Sequence, residues 1–331
     1  MIKFKKFSSN RISKILLSVF IILIMTAIII YPDRFIESAL NGLKLWCFSV
    51  LPSLLPFFFL TALLTGLQIF CAVFSKFDKP MRKIFNLSGA SFYAFFISVI
   101  SGYPVGSRTV TDLYLANAIS EGESKRASVL ASTSGPLFII GAIGTATFNN
   151  KFYGFILFAV HVASALLTAL TFKNYGDKPF NKLQTLSFAK TDNLLYESVY
   201  SSVISVLMVG GFISIFYVLS DVLFYFNALT PLSYVFNLLL KPFTTLNLGE
   251  GFISGLIECT KGCHLLSKQG VTPLTLSLTS FLISFGGLSI IMQSLTYLNK
   301  CKIKSSFFIL AKIIQGTYSF ILSLIIFSFV L

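Results

Sequence analysis

The sequence has few charged residues, and few of those are acidic. Only 11% of its 331 residues are charged, with 12 Asp and Glu against 26 Lys and Arg. A soluble domain has about 25% charged residues, so a water-exposed surface around a chain of this length is excluded. The hydrophobic fraction of 55% and the mean hydropathy of +0.83 indicate instead a polytopic membrane protein.

Residues and motifs of catalysis and metal binding are also scarce. The chain has two His and five Cys, and the cluster of Cys259, Cys263 and His264 lacks a metal-ligand spacing. The cysteines are odd in number and lie mostly in apolar segments, so we interpret them as small apolar side chains. No G-x-S-x-G, H-E-x-x-H, Walker A or Rossmann glycine pattern occurs. We therefore expect no catalytic residue, metal or cofactor, and a membrane-embedded enzyme remains an alternative.

The basic residues form short clusters between apolar runs, which is a topology signal rather than a nucleic-acid surface. The basic segment 1–14 is followed by an apolar run that ends at Tyr31, without the small-residue cleavage site of a signal peptide. We predict a membrane anchor with a cytoplasmic N-terminus. The expected surroundings are the lipid bilayer of a cell membrane, and nucleic acid is not an expected partner.

Seven apolar runs are long enough to cross a bilayer, which takes about 20 helical residues. They cover 13–31, 45–70, 126–148, 152–172, 198–226, 273–298 and 305–330. Two more stretches, 84–120 and 231–268, are apolar but interrupted by Gly, Pro and polar residues. We predict that each is a re-entrant hairpin, because the Lys-rich segments 173–190 and 300–304 then lie in the cytoplasm and the C-terminus lies outside.

The chain contains a weak internal repeat. A shift of 153 residues places Ile100-Ser101-Gly102 on Ile253-Ser254-Gly255 and Arg108 on Lys261. Each unit contains three crossings, and this odd number inverts the second unit relative to the first. Inverted repeats with interrupted membrane segments indicate a transporter with a site near the bilayer midplane. The alternative is a scaffold in which the Gly and Ser similarity is accidental.

The predicted fold is an all-α polytopic membrane protein with about seven transmembrane helices and two re-entrant broken hairpins. Its predicted parts are a basic N-terminus and anchor helix (1–40), a first membrane repeat (41–172), a cytoplasmic linker (173–197) and an inverted second repeat (198–331).

The candidate binding residues lie at the helix breaks. Gly102, Pro104 and Gly106 interrupt the first hairpin, and the helix that follows has a partly positive N-terminus that favours an anion or a ligand oxygen. Arg108 lies in its first turns, where a guanidinium at membrane depth is costly and usually functional. The full set of candidates is Ser101, Gly102, Pro104, Gly106, Ser107, Arg108, Thr109, Ser134, Gly135, Glu258, Lys261, Gly286 and Gln293.

Each candidate also has an interpretation without a ligand. Arg108 with Asp112 and Glu258 with Lys261 have the spacing of ion pairs on one helix face. The small residues at Ser134-Gly135 and Gly286 are equally typical of close helix packing. His161, on an apolar helix, is more often a buried hydrogen-bonded residue than a proton carrier.

Three segments carry a family resemblance: Ser101-Gly102-Tyr103-Pro104-Val105-Gly106, then Glu121-Gly122, then the run from Ser132 to Gly141 (STSGPLFIIG). The chain resembles the YlbJ-type sporulation integral membrane proteins, within the wider group that has nucleoside-recognition (Gate) domains. The resemblance implies a bacterial membrane protein of endospore formation, in membranes around the developing spore, that moves or senses a small polar solute. Only the S-G-Y-P-V-G break, Arg108 and the S-T-S-G-P segment correspond to motif positions.

Two alternative functions are therefore considered, of which the first is the one we expect. The first is a secondary transporter or permease for a small polar or anionic solute, nucleoside-like by distant resemblance, with a coupling ion that the sequence does not identify. The second is a non-transporting scaffold or assembly factor for the spore envelope (cortex), in which the hairpins bind a sporulation membrane partner.

Overall fold

The computed structural model describes residues 11–66, 73–176 and 193–331, and in these ranges it is helical without strands. The all-α prediction is thus confirmed. The basic residues Lys3, Lys5 and Lys6 and the linker part 177–192 lie outside the described residues.

The first helices form an anchor and a lateral support. Helix α1 (Arg11–Ile30) is followed by α2 (Pro32–Leu45), and the axis turns by 105° between them. Sequence analysis did not predict α2 as a separate helix. It packs on the long helix α9 (Leu194–Tyr225) through Gly42, where a Cβ would lie 3.0 Å from the Cα of Ser214.

Repeat one continues through a π-helical turn (Trp46–Val50) into a series of shorter helices. They are α3 (Leu51–Gly66), α4 (Asp78–Phe85), α5 (Gly89–Ser101), α6 (Val105–Leu115), α7 (Glu121–Leu130), a π-helical segment (Leu137–Thr147) and α8 (Lys151–Thr171). Helices α5 and α6 pack on each other and form hairpin one, whose break is 102–104. Between α7 and the π-helical segment, residues 131–135 form an unwound segment.

Repeat two has the same order of elements. It contains α9, α10 (Thr230–Leu240), α11 (Gly249–Ile257), α12 (Cys259–Ser267), α13 (Pro273–Phe285), α14 (Gly287–Leu298) and α15 (Ser305–Val330). Helices α11 and α12 form hairpin two, which breaks at Glu258, and α13 and α14 are separated at Gly286. Helix α15 packs along α13 and α8, so the two repeats share one helical core.

The predicted number of seven membrane crossings is not confirmed. In the described ranges, four helical segments are long and apolar enough to cross a membrane, and the number rises to six if each bent helix pair is one span. The predicted span 126–148 is interrupted by the unwound segment, because Pro136 has no N–H to continue a helical hydrogen-bond ladder. Both interrupted stretches do form helical hairpins.

Candidate functional site

The breaks of both hairpins meet at one small cavity, which we call the central cavity. Its volume, measured as the space that the centre of a water molecule can occupy, is about 40 Å³, which is room for a few water molecules. Residues of hairpin one, the unwound segment, hairpin two and α14 supply its polar lining. That lining comprises Gly102, Tyr103, Ser134, Gly135, Glu258, Thr260 and Gln293. Its apolar lining includes Val209 and Ile213 from the middle of α9.

The break of hairpin one lies directly against the unwound segment. Gly102 has φ +81°, and a Cβ there would lie 2.6 Å from the backbone N of Gly135. A Cβ at Gly106 would lie 2.2 Å from the carbonyl oxygen of Ala131. The backbone N–H of Thr133 also donates to the Oγ of Ser98 at 3.1 Å. Glycines in the S-G-Y-P-V-G sequence are therefore required for two backbones to touch here.

Tyr103, between these glycines, is held by a lysine that is remote in sequence. Its hydroxyl donates to the carbonyl oxygen of Ser132 at 2.7 Å and accepts a hydrogen bond from the Nζ of Lys312 on α15. Lys312 Nζ also donates to Ser132 O at 3.0 Å and to Gln315 Oε1 at 2.6 Å. Lys312 is 1% exposed, so hairpin one, the unwound segment and α15 are joined through one buried amine.

The break of hairpin two is held by its own carboxylate. Glu258 is 1% exposed, and its Oε2 accepts the backbone N–H of Lys261 at 2.7 Å, while its Oε1 accepts the hydroxyl of Thr260 at 3.2 Å. It thereby caps the N-terminus of α12. Gly287 has φ +68° and packs on this break, since a Cβ there would lie 2.9 Å from the carbonyl oxygen of Gly255.

His161 on α8 connects the two repeats. Its Nε2 accepts the backbone N–H of Ser134 at 2.9 Å, and its Nδ1 lies 2.8 Å from the Oγ of Ser284. An Nε2 that accepts a hydrogen bond carries no proton, so the proton of the neutral ring is on Nδ1 and is donated to Ser284. Both ring nitrogens are occupied, in agreement with the interpretation of His161 as a buried hydrogen-bonded residue.

Arg108 lines a second cavity, the Arg108 cavity, of about 340 Å³. Its side chain is 45% exposed and lies 3.8 Å from the carboxylate of Asp112, so the expected ion pair along one helix is present. The opposite wall is the N-terminal part of α9, with Glu197 and four serines: Ser198, Ser201, Ser202 and Ser205.

Lys261 lines a third cavity, the Lys261 cavity, of about 410 Å³. Its Nζ donates to Asp221 Oδ1 at 2.5 Å and to Ser220 Oγ at 3.1 Å, and it lies 4.7 Å from the centre of the Tyr217 ring. The ammonium thus pairs with α9 and not with Glu258. The remaining basic residues of the cavity are Lys44, His264 and Lys268.

The three cavities follow one another along α9. Residues 197–205 line the Arg108 cavity, Val209 and Ile213 the central cavity, and Tyr217 the Lys261 cavity. Ser205 and Tyr217, the nearest α9 residues of the two outer cavities, are about 18 Å apart along the helix axis. Helices α6 and α12 start near the central cavity, and their residues line the cavities at opposite ends of α9.

The structure therefore brings together some of the predicted site residues and separates others. Gly102, Ser134, Gly135, Glu258 and Gln293 share the central cavity. Arg108 and Lys261 do not meet, because α6 and α12 extend from the central cavity toward different outer cavities. Thr109 lines the Arg108 cavity. The remaining candidates lie buried near the breaks, and they are Ser101, Pro104, Gly106, Ser107 and Gly286.

Sequence analysis missed Tyr103, Thr260 and Lys312 as members of the site. Tyr103 and Lys312 are 209 residues apart in the chain, so no local pattern joins them. The one available signal for Lys312 is its charge within an otherwise apolar span, where ionisable residues are rare and usually functional.

Two broken hairpins that meet at a buried polar centre, surrounded by long apolar helices, define a polytopic α-helical membrane protein of paired-hairpin architecture. The chain is 30% identical to the Sporulation integral membrane protein YlbJ of Bacillus subtilis (strain 168), over 94% of this chain and 82% of that protein. It belongs to the YlbJ family of sporulation integral membrane proteins. No family model matches the sequence, and no solved structure matches it.

Proposed function

We propose that this protein is a secondary transporter or channel-like permease that moves a small polar or anionic solute across a membrane of the sporulating cell. The observation that supports this best is the succession of three cavities along α9, with the breaks of both hairpins at the middle one. Non-helical backbone at membrane depth is tolerated where it is buried in protein or lines a wet cavity.

The small volume of the central cavity supports alternating access rather than an open channel. A space of about 40 Å³ admits water but not a nucleoside or a comparable solute. A larger solute passes only if one hairpin moves away from α9 and then returns. Such a movement would separate the backbones that are in close contact at Gly102 and Gly287.

The two outer cavities support a polar or anionic solute. The Arg108 cavity combines one cation and two carboxylates, Asp112 and Glu197, with four serines, which suits a polar solute. The Lys261 cavity is lined by three lysines and His264, and such a cationic pocket concentrates anions and raises their rate of entry. In this proposal Arg108 and Lys261 attract the solute in turn, one on each side of the centre, and do not hold it together.

A pair of variants on α9 tests the proposal. Ile213 is 4% exposed and lines the central cavity, whereas Ile215 is 65% exposed on the outside of the same helix. We expect Ile213→Trp to abolish flux by filling the cavity and Ile215→Trp to leave it unchanged. The measurement is uptake into vesicles that contain the purified protein, with a panel of labelled nucleosides, nucleotides and organic anions, after equal insertion is verified.

The same variants separate transport from a scaffold role. A scaffold for spore-envelope assembly would keep its activity in Ile213→Trp whenever the protein is stably inserted. Complementation of a strain that lacks the family member, scored as heat-resistant spores, measures this directly. Full complementation by Ile213→Trp, together with no flux for any solute of the panel, would overturn the transport proposal.

A further inference from the structure

Lys312 is a buried cation that the proposed transport path does not yet use. It lies in α15 and is 1% exposed, and its ammonium has three acceptors: the Tyr103 hydroxyl, the Ser132 carbonyl and the Gln315 side chain. An ammonium has three N–H donors, so all of them are used. Among the residues that the structure describes, no carboxylate oxygen lies within 4.0 Å of its Nζ.

The titratable groups around Lys312 come from three elements. Tyr103 comes from the break of hairpin one, and its proton is donated to Ser132 O. His161 comes from α8 and is neutral, with both ring nitrogens hydrogen-bonded. Cys259 comes from the start of α12, next to Glu258, which shares the central cavity with Tyr103. The helix α13, which packs most extensively on α15, has no titratable side chain.

We propose that Lys312 is a proton-binding site that controls hairpin one. In the protonated state the ammonium holds the Tyr103 hydroxyl and Ser132 O, so the break of hairpin one stays closed on the unwound segment. When the amine loses its proton, by way of the Tyr103 hydroxyl that separates it from the central cavity, two N–H donors remain for three acceptors, and the links to Tyr103 and Ser132 weaken. The inference builds on the proposed function, in which a proton would be the coupling ion.

The choice of lysine over arginine is central to this inference. Both side chains supply a positive charge, but a guanidinium stays protonated at all physiological pH values, whereas a buried amine is able to exchange its proton. If the role of Lys312 were only to supply a positive charge, an arginine that fits the same pocket would replace it without changing the pH dependence. The two roles therefore differ in pH dependence, and Lys312→Arg distinguishes them.

The test is hydrogen–deuterium exchange of the full chain in lipid nanodiscs, from about pH 6 to pH 9, corrected for the intrinsic pH dependence of amide exchange. In the wild type we expect the protection of segments 101–107 and 131–135 to fall about tenfold as pH rises, since a charge-assisted hydrogen bond is replaced by a neutral one. Protection of α13 should stay constant. Lys312→Arg should keep the protection at every pH, and Tyr103→Phe should lower it at every pH.

The control is Lys304→Met, at the exposed start of the same helix, which should follow the wild-type profile. A wild-type profile that does not change with pH, or a pH-dependent profile that persists in Lys312→Arg, would overturn the inference. The second result would assign the titration to Glu258 or another neighbour. These readouts need no solute, so failure here is distinguishable from failure of the transport proposal, which the vesicle assay measures.

Discussion

The two hairpins share one backbone plan but are held in place at opposite points. Hairpin one is held at its break, where Gly102 and Tyr103 contact the unwound segment and Lys312, while its cation Arg108 is half-exposed and pairs within its own helix. Hairpin two is held at its cation, because the buried Lys261 pairs with Asp221 on α9.

The two hairpins therefore differ in how they are attached to α9. The α12 half of hairpin two is fixed to α9 by a partly buried ion pair, and its break is closed by its own Glu258. The α6 half of hairpin one has no such connection to α9 in the described ranges, since Arg108 contacts Asp112 on the same helix. We therefore expect hairpin one to move more easily than hairpin two once its break is released.

The largest difference is expected between the glycines that the repeat makes equivalent, Gly102 and Gly255. Gly102→Ala places a Cβ 2.6 Å from a backbone nitrogen at φ +81°, so both strain and collision apply, and we expect a loss of about 3 kcal/mol or more. The three atoms nearest to a Cβ at Gly255 all belong to the side chain of Leu282, which can shift, so Gly255→Ala should cost about 1–2 kcal/mol. Thermal unfolding in nanodiscs measures both, and equal melting temperatures would contradict the asymmetry.

The second prediction concerns the two ion pairs. Asp221→Asn removes the negative charge that pairs with the buried Lys261 and should cost about 2–3 kcal/mol, less than for a fully buried pair because Asp221 is 32% exposed. Asp112→Asn, the matched change in hairpin one, should cost less than about 1 kcal/mol, because both partners are half-exposed. Unfolding of the two variants in the same detergent compares them, and a larger loss for Asp112→Asn would reverse our assignment.

The third prediction concerns the helices that follow the two hairpin breaks. Glu258→Ala removes the side-chain cap of α12 and should cost about 1–2 kcal/mol, while Glu258→Gln keeps an acceptor for the Lys261 N–H and should cost less. Helix α6 has no side-chain cap at Pro104, so its first turn does not depend on such a group. Hydrogen exchange at 259–262 reports the loss locally. Equal exchange in the Ala and Gln variants would show that the cap does not hold this turn.

The smallest effect on stability is expected at Arg108. Arg108→Ala removes an exposed pair and should change the free energy of unfolding by less than about 1 kcal/mol. Under the transport proposal it should nevertheless reduce uptake and spore complementation, because the Arg108 cavity loses its cation. Normal insertion with full complementation would remove Arg108 from the solute path.

The hairpins were predictable from the sequence because their breaks are coded locally. Gly102, Pro104 and Gly106 lie within five residues, and Gly and Pro interrupt helices wherever they occur together. Helix α2 was not predicted as a separate element, since its Asp33, Arg34 and Glu37 fit no transmembrane pattern, although they suit a helix at a membrane boundary.

The composition of the site was only partly predictable. Arg108 and Lys261 each lie in the helix that follows a hairpin break, but these helices lead to different cavities, so the predicted meeting of the two cations does not occur. The residues at the centre meet through tertiary packing, as Tyr103 and Lys312 do, and a single sequence does not encode such pairs locally.

The imidazole of His161 has a consequence beyond its place in the core. It holds Ser134 of the first repeat and Ser284 of the second, so a displacement of either segment changes the energy of the other. Such linkage is reciprocal: the free energy by which a displacement of the Ser134 segment shifts the Ser284 segment equals that by which a displacement of the Ser284 segment shifts the Ser134 segment. Through His161 the Ser134 and Ser284 segments are therefore energetically coupled, although Arg108 and Lys261 line separate cavities.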